Sequence, residues 1–175
     1  MYLCKLLREK KNIMKFKRFL PLVLLVLIFS GCQNNKVYYE DNFKFENNIW
    51  PRFNHVTFDV PINDANKHYD LLLTAYYDIN IDFDELPIQV NTETEDGEKR
   101  FSEFHIKLKD SHGAHKGTIN DKKDCIEIQH VIRKDFTVGK PGKLHVDIEC
   151  FYPKYNIPYI KELKLQLVNA ETSAK

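Results

Sequence analysis

Seven histidines, at positions 55, 68, 105, 112, 115, 130 and 145, have the widest chemical repertoire in this chain, because imidazole binds metals and moves protons near neutral pH. His112 and His115 flank Gly113-Ala114 in a segment that reads as a loop. Zinc needs three or four protein ligands, and no HExxH or CxxC pattern supplies the others. His55, His105 and His145 sit at the polar parity of alternating runs and are expected in solvent. His130 falls on the inward parity and is expected as a hydrogen-bonded core residue. The acidic stretch Asp78, Asp82, Asp84 and Glu85 offers oxygen ligands for calcium but lacks EF-hand spacing and its glycine. A solvated loop or charged strand edge is the plainer reading. Ser30, Ser102, Ser111 and Ser173 are the only serines, and none lies in a GxSxG elbow. Carboxylate pairs are too numerous for any one pair to point to a glycosidase. These residues point to no enzyme, no metal site and no cofactor.

Cysteine carries the strongest signal. The run Leu20–Ser30 (LPLVLLVLIFS) is apolar and uncharged, follows Lys15, Lys17 and Arg18, and ends at Ser30-Gly31-Cys32. That order is a positive region, a short hydrophobic region and a small-residue cleavage site, the three parts of a secretory signal. Its eleven residues fall short of the roughly 20 a spanning helix needs, so an uncleaved anchor helix is the weaker reading. Cys32 directly after the small pair makes this a lipobox. The expected modification is a diacylglycerol on the Cys32 thiol and a further acyl chain, such as palmitate, on the freed amine. Each buried methylene contributes about 0.8 kcal/mol, so two or three chains hold a protein where one would not. Met14 offers an internal start that shortens the basic region.

Cleavage changes the composition. Residues 1–31 hold seven of the 26 Lys and Arg and one of the 25 Asp and Glu, leaving 19 basic against 24 acidic side chains, a net charge of −5. An acidic domain argues against nucleic acid as a partner, since phosphate backbones need a basic face. Cys4 leaves with the signal and Cys32 is lipidated, so Cys125 and Cys150 remain. Cys150 continues the apolar set Leu144, Val146 and Ile148, whereas Cys125 has the opposite parity to Ile126 and Ile128. One thiol is therefore expected in the core and the other facing outwards, which disfavours a disulfide.

Period-two alternation positions these residues. It runs through Val56–Val60, Tyr69–Tyr77, Leu86–Val90, Phe104–Leu108, Ile126–Ile132, Leu144–Cys150 and Leu163–Leu167. Asn63-Asp64, Asp96-Gly97, His112-Gly113 and Gly139-Lys140-Pro141-Gly142 supply turn chemistry between them. Seven or eight strands with one apolar face each must pack as two sheets. The expected fold is an all-β antiparallel sandwich, immunoglobulin-like or jelly-roll. The expected organisation is a signal peptide over 1–31, a lipidated tether over 32–37, the sandwich over 38–169 and a flexible tail over 170–175. Two aromatic groups interrupt the alternation: Phe43, Phe45, Trp50 and Phe53 around Pro51, and Phe151, Tyr152, Tyr155 and Tyr159 around Pro153 and Pro158. Trp50, Phe53, Tyr152 and Tyr155 are the candidate binding residues, since exposed rings stack on sugars or anchor protein partners. The plainer alternative is that they plug the ends of the sandwich.

Several segments carry a family likeness across roughly Tyr38 to Val168. They are YYEDNFKF, Trp50, HVTFDVPINDANKHYDLLLTAYYD, Asp96-Gly97, LKDSHGAHKG, Phe136 and Gly142 before LHVDIE, and NIPYIKELKLQLV. Together they resemble the gliding-motility lipoprotein family GldH of the Bacteroidetes. The resemblance implies a non-catalytic envelope lipoprotein, a scaffold or stability factor for gliding and type IX secretion components, with no catalytic residues to carry over. Tyr76-Tyr77 and His115-Lys116 depart from the family pattern, which expects an arginine and an aromatic there. The competing function is a glycan-binding surface lipoprotein accessory to polysaccharide utilisation, which needs a row of exposed, coplanar rings. Gln33-Asn34-Asn35-Lys36 lacks an acidic export cluster, so the periplasmic face of the outer membrane is the expected location.

Overall fold

The structure is a computed structural model that describes residues 36–170. The signal segment 1–31, Cys4, Cys32, tether residues 32–35 and tail residues 171–175 lie outside the described residues. Residues 35–175 form a compact unit by themselves.

Eleven strands follow one another: β1 (Val37–Lys44), β2 (Ile49–Pro51), β3 (Val56–Ile62), β4 (Tyr69–Tyr77), β5 (Glu85–Glu93), β6 (Lys99–Lys107), β7 (Thr118–Asn120), β8 (Cys125–Phe136), β9 (Gly142–Cys150), β10 (Asn156–Pro158) and β11 (Ile160–Asn169). One sheet has the order β1-β11-β4-β8-β7, the second β3-β9-β5-β6, and β2 pairs with β10 alone. β2, β7 and β10 have three residues each. The other eight strands pair first with last (β1 with β11), second with seventh (β3 with β9), third with sixth (β4 with β8) and fourth with fifth (β5 with β6), all antiparallel. That nested order is a jelly roll. It decides between the two sandwich types that alternation left open.

The sequence pattern builds this core directly. β3 reads Val56-Thr57-Phe58-Asp59-Val60-Pro61-Ile62, buried and exposed in strict turn. Opposite it in sheet register, Leu144, Val146 and Ile148 of β9 are fully buried. On the inner face of the other sheet, Leu73 and Ala75 of β4 lie opposite Leu165 and Leu163 of β11, all without exposed surface. Each such leucine, isoleucine or valine contributes about 1.5–3 kcal/mol of burial. The β5–β6 hairpin closes at Asp96-Gly97, where Gly97 takes φ +87° and its amide donates to the Thr94 carbonyl at 2.9 Å. Only glycine adopts that backbone without strain.

Val37 pairs with Val168, and Ala170 is buried with its amide on the His68 carbonyl at 3.0 Å. β4 is covered on both faces: Tyr76 and Thr74 point away from the core yet are 3% and 4% exposed. Long side chains lie over that outer face, with Lys123 Nζ 3.8 Å and Lys164 Nζ 6.0 Å from the Tyr76 ring centroid. The same cover corrects the expectation for Cys125. It does take the parity opposite to the core, but it is buried there, close to Lys123 and Glu162. Cys150 lies in the core, and both thiols are free.

Candidate functional site

Antiparallel pairing gives the sandwich two ends. At the root, the chain enters at Lys36, next to the end of β11 and the start of β4, where the Asn169 amide bonds the Lys36 carbonyl at 3.0 Å. At the far end lie the β1–β2–β3 connection, the loop 78–84 and the segment 151–159. Backbone bonds tie these three together: Arg52 N to Tyr155 O at 2.9 Å and Asp78 N to Tyr159 O at 2.8 Å. Lys154 adds an ion pair to Asp82 at 2.9 Å, which holds the Asp82 carboxyl below its ordinary range.

The four candidate binding residues separate here. Trp50 is fully buried, stacked on Phe45 at 4.9 Å with its indole N–H donating to the Asn54 carbonyl at 2.8 Å. It has no ring face for a ligand. Tyr152 is half-buried against Phe83 at 4.4 Å. These two plug the end of the sandwich. Phe53 and Tyr155 are 67% and 71% exposed and meet edge to face at 6.0 Å and 69°. At that angle no flat sugar face stacks on both rings. Ile79 and Tyr159 add exposed apolar surface on the adjoining loops. A groove of about 430 Å³, lined by Phe43, Glu46, Ile49, Pro51, Asn54 and Asn156, adjoins the chain positions of this pair. Rigid aromatics beside a groove are the usual anchors of a protein–protein contact.

The histidines form a different pattern. On the outer face of the second sheet His55, just before β3, and His145 and His105, within β9 and β6, each hold a carboxylate of a neighbouring strand: His55 Nδ1 to Asp147 at 2.9 Å, His145 Nδ1 to Asp59 at 2.9 Å, and His105 Nδ1 to Glu85 at 2.9 Å. Donating to the Asp147 carboxylate raises His55 above its ordinary value, and His145 with Lys143 holds Asp59 low. These partners come from strand register, which parity alone does not give. His130 corrects the expectation of a hydrogen-bonded core residue. It is half-buried, edge to face with Phe104 at 5.0 Å, and burial pushes its pKa down. His112 is exposed, whereas the His115 ring lies 5.7 Å from that of Tyr77, so the loop does not present them as a pair. The acidic stretch disperses likewise: Asp78 to Lys161 at 3.5 Å, Asp82 to Lys154, and Glu85 to His105 and Lys107. Among the described residues no three His, Cys, Asp or Glu side chains converge on a metal position.

A sequence model of the family described as GldH lipoprotein matches residues 37–167, from the first residue of β1 to two residues before the end of β11. The chain belongs to the GldH lipoprotein family. A relative from Flavobacterium johnsoniae, the gliding motility lipoprotein GldH, is 25% identical over 133 residues, covering 76% of this chain and 81% of the relative. The crystal structure of dimeric latent PorU from Porphyromonas gingivalis aligns with 81% of this chain at 8% identity and a TM-score of 0.35, a likeness too slight to argue from. The chain spans 14% of that longer protein. The family match covers both ends of the sandwich, the buried Trp50 and the exposed Phe53 and Tyr155 alike. Membership in a lipoprotein family gives the Ser30-Gly31-Cys32 sequence a consistent context, although Cys32 itself is outside the described residues.

Proposed function

We propose that this protein is a non-catalytic scaffold of the cell envelope, anchored through lipid on Cys32 at the periplasmic face of the outer membrane, whose far end docks other gliding or type IX secretion components. The observation that carries the docking role is the exposed Phe53–Tyr155 pair beside a groove, at the end away from Lys36. Lys36 is the fourth residue after Cys32, and at about 3.5 Å per residue the intervening chain spans at most roughly 14 Å. The root is therefore held close to the bilayer. The ten residues of β11, at about 3.3 Å each, place the far end roughly 30 Å further out. Family membership and the Flavobacterium relative support the link to motility. The 69° angle between the exposed rings and the burial of Trp50 speak against the glycan-binding alternative.

Three measurements test this reading. Mass spectrometry of the membrane-extracted protein should find an N-terminal acylated Cys32, and protease added to intact cells should leave the domain uncut. Affinity capture from cross-linked envelopes should recover particular lipoprotein or secretion components. Recovery of abundant bystanders alone, or release of the domain by protease, contradicts it.

A further inference from the structure

A second pocket, of about 390 Å³, opens at the root between the end of β8 and the start of β6. Its charged lining is Arg100, Arg133, Lys134, Glu98 and Asp135. Arg133 is the unusual member. Its side chain is only 11% exposed and its guanidinium lies 4.3 Å from the Phe136 ring centroid. Its Nε is buried and bonds no acceptor among the described residues. A buried guanidinium donor without a partner is destabilising, so the arrangement calls for an acceptor.

The local carboxylates do not supply one. Glu98 Oε1 takes Arg100 Nε at 2.7 Å and reaches Arg133 Nη2 only at 3.4 Å, so one carboxylate serves two arginines. Asp135 is turned to other work: its carboxylate holds His68 Nδ1 at 2.7 Å. Its amide, at φ +49°, donates to the buried Asp70 at 2.7 Å. The Asp96 carboxylate, beside Gly139, accepts from the Thr94 hydroxyl. Glu98 thus serves both arginines and Asp135 is engaged by His68, so Arg100, Arg133 and Lys134 outnumber the two carboxylates of the pocket. The acceptor it lacks should be anionic, multidentate and small enough to enter. A phosphate group fits, because its oxygens match the planar fork of arginine.

We propose that Arg133 and Arg100, with Lys134, bind a phosphate group at the root of the sandwich. The position suggests where the phosphate comes from. The end of β8 pairs with the start of β4 (Phe136 with Tyr69), which pairs with the end of β11 (Tyr69 with Asn169) beside Lys36. The site therefore lies at the same end as the chain's entrance, two strand spacings from β11, or roughly 10 Å. Segments 63–68, 93–100 and 133–143 with Lys36 carry eight basic and six acidic side chains, whereas the chain after residue 31 is net −5. A headgroup phosphate at the bilayer surface is the nearest supply. That source rests on the Cys32 anchor proposed above; the phosphate site does not.

The test uses residues 35–175, which hold every described strand and the whole core. Inorganic phosphate, titrated against chloride at constant ionic strength, should shift the Arg133 Nε–H resonance in nitrogen-15 NMR. Vesicles of phosphatidylcholine with phosphatidylglycerol should co-sediment the domain more than phosphatidylcholine alone. Arg100→Gln, at an exposed position, should weaken both effects about tenfold, as expected for loss of one charge-assisted contact, and Arg133→Gln should abolish them. A phosphate response without a difference between vesicles supports the site with a soluble phosphate as its source. No shift of Arg133 in the wild-type protein and no vesicle preference would overturn the proposal, whether or not Arg133→Gln folds.

Discussion

Trp50 and Tyr155 come from the two aromatic groups that sequence alone could not sort, and truncating each to alanine should give opposite results. Trp50 is fully buried, stacked on Phe45 and hydrogen-bonded through its indole. Removing such a ring costs about 3–5 kcal/mol, because the lost burial leaves a cavity. Tyr155 is 71% exposed, so roughly 60 Å² of a ring of about 200 Å² is covered. At about 25 cal/mol per Å² this sets an upper bound near 1.5 kcal/mol, counted against an extended unfolded chain. For a domain of this size 1 kcal/mol moves Tm by roughly 3–5 °C. Trp50→Ala should therefore lower Tm by at least about 10 °C, and Tyr155→Ala by less than about 7 °C. Thermal unfolding followed by circular dichroism reads both. Phe53→Ala, whose partner ring is Tyr155, should behave like Tyr155→Ala. In cells, Tyr155→Ala should lose the docking phenotype at normal protein abundance, whereas Trp50→Ala should lose it together with the protein. Equal Tm losses for the two variants would refute the division of the aromatic groups into plug and contact.

Burial pushes the Cys150 thiol up to about 11 and raises Cys125 as well, so neither should react with a disulfide reagent at pH 8 until the domain unfolds; rapid labelling of the native domain would contradict the burial of both. His55 is raised by its bond to Asp147, so the pair's contribution is fully present below the unfolded pKa of about 6.5 and fades as pH rises through the raised value. With His55 half exposed that contribution is no more than about 1 kcal/mol; Asp147→Asn should bring the NMR titration of His55 back down, and an unchanged midpoint would exclude the pair. Lys123 is lowered by partial burial but raised overall by its bond to Glu162, at 2.7 Å. Lys123→Ala leaves the buried Glu162 without its cation and should cost about 1–3 kcal/mol in urea unfolding, whereas a neutral result would mean that solvent reaches Glu162.

The parts of this fold that were legible are those where one face is apolar and the other polar. β3 and β9 could be read residue by residue because each packs one side on the core. β1 escaped: as an edge strand, with only Tyr38, Tyr39 and Phe43 half-buried, it shows almost no alternation. β4 misleads differently, since Tyr76 and Thr74 are buried on the polar parity beneath side chains from distant segments. Cys125 is hidden by that cover, so its parity was readable and its burial was not. The choice of jelly roll depends on which strands pair, such as β1 with β11, across more than a hundred residues. The same limit applies to the site. Phe53 lies three residues from Trp50 in an equally aromatic context, and only the β2–β10 pairing turns one outwards and the other in. Arg133 carried no motif at all. Its unpartnered Nε emerges from Glu98 and Phe136 meeting it at the root.

In the scaffold proposed above, the far end contacts a specific envelope component. A photo-cross-linking amino acid placed at Tyr155 in living cells tests this most directly, with Thr57, exposed on the outer face of the second sheet, as the control position. One discrete cross-linked species should form from position 155, identified by mass spectrometry as a gliding or secretion component, and none from position 57. Identical species from both positions, or none from position 155 with the protein present at normal abundance, would contradict it.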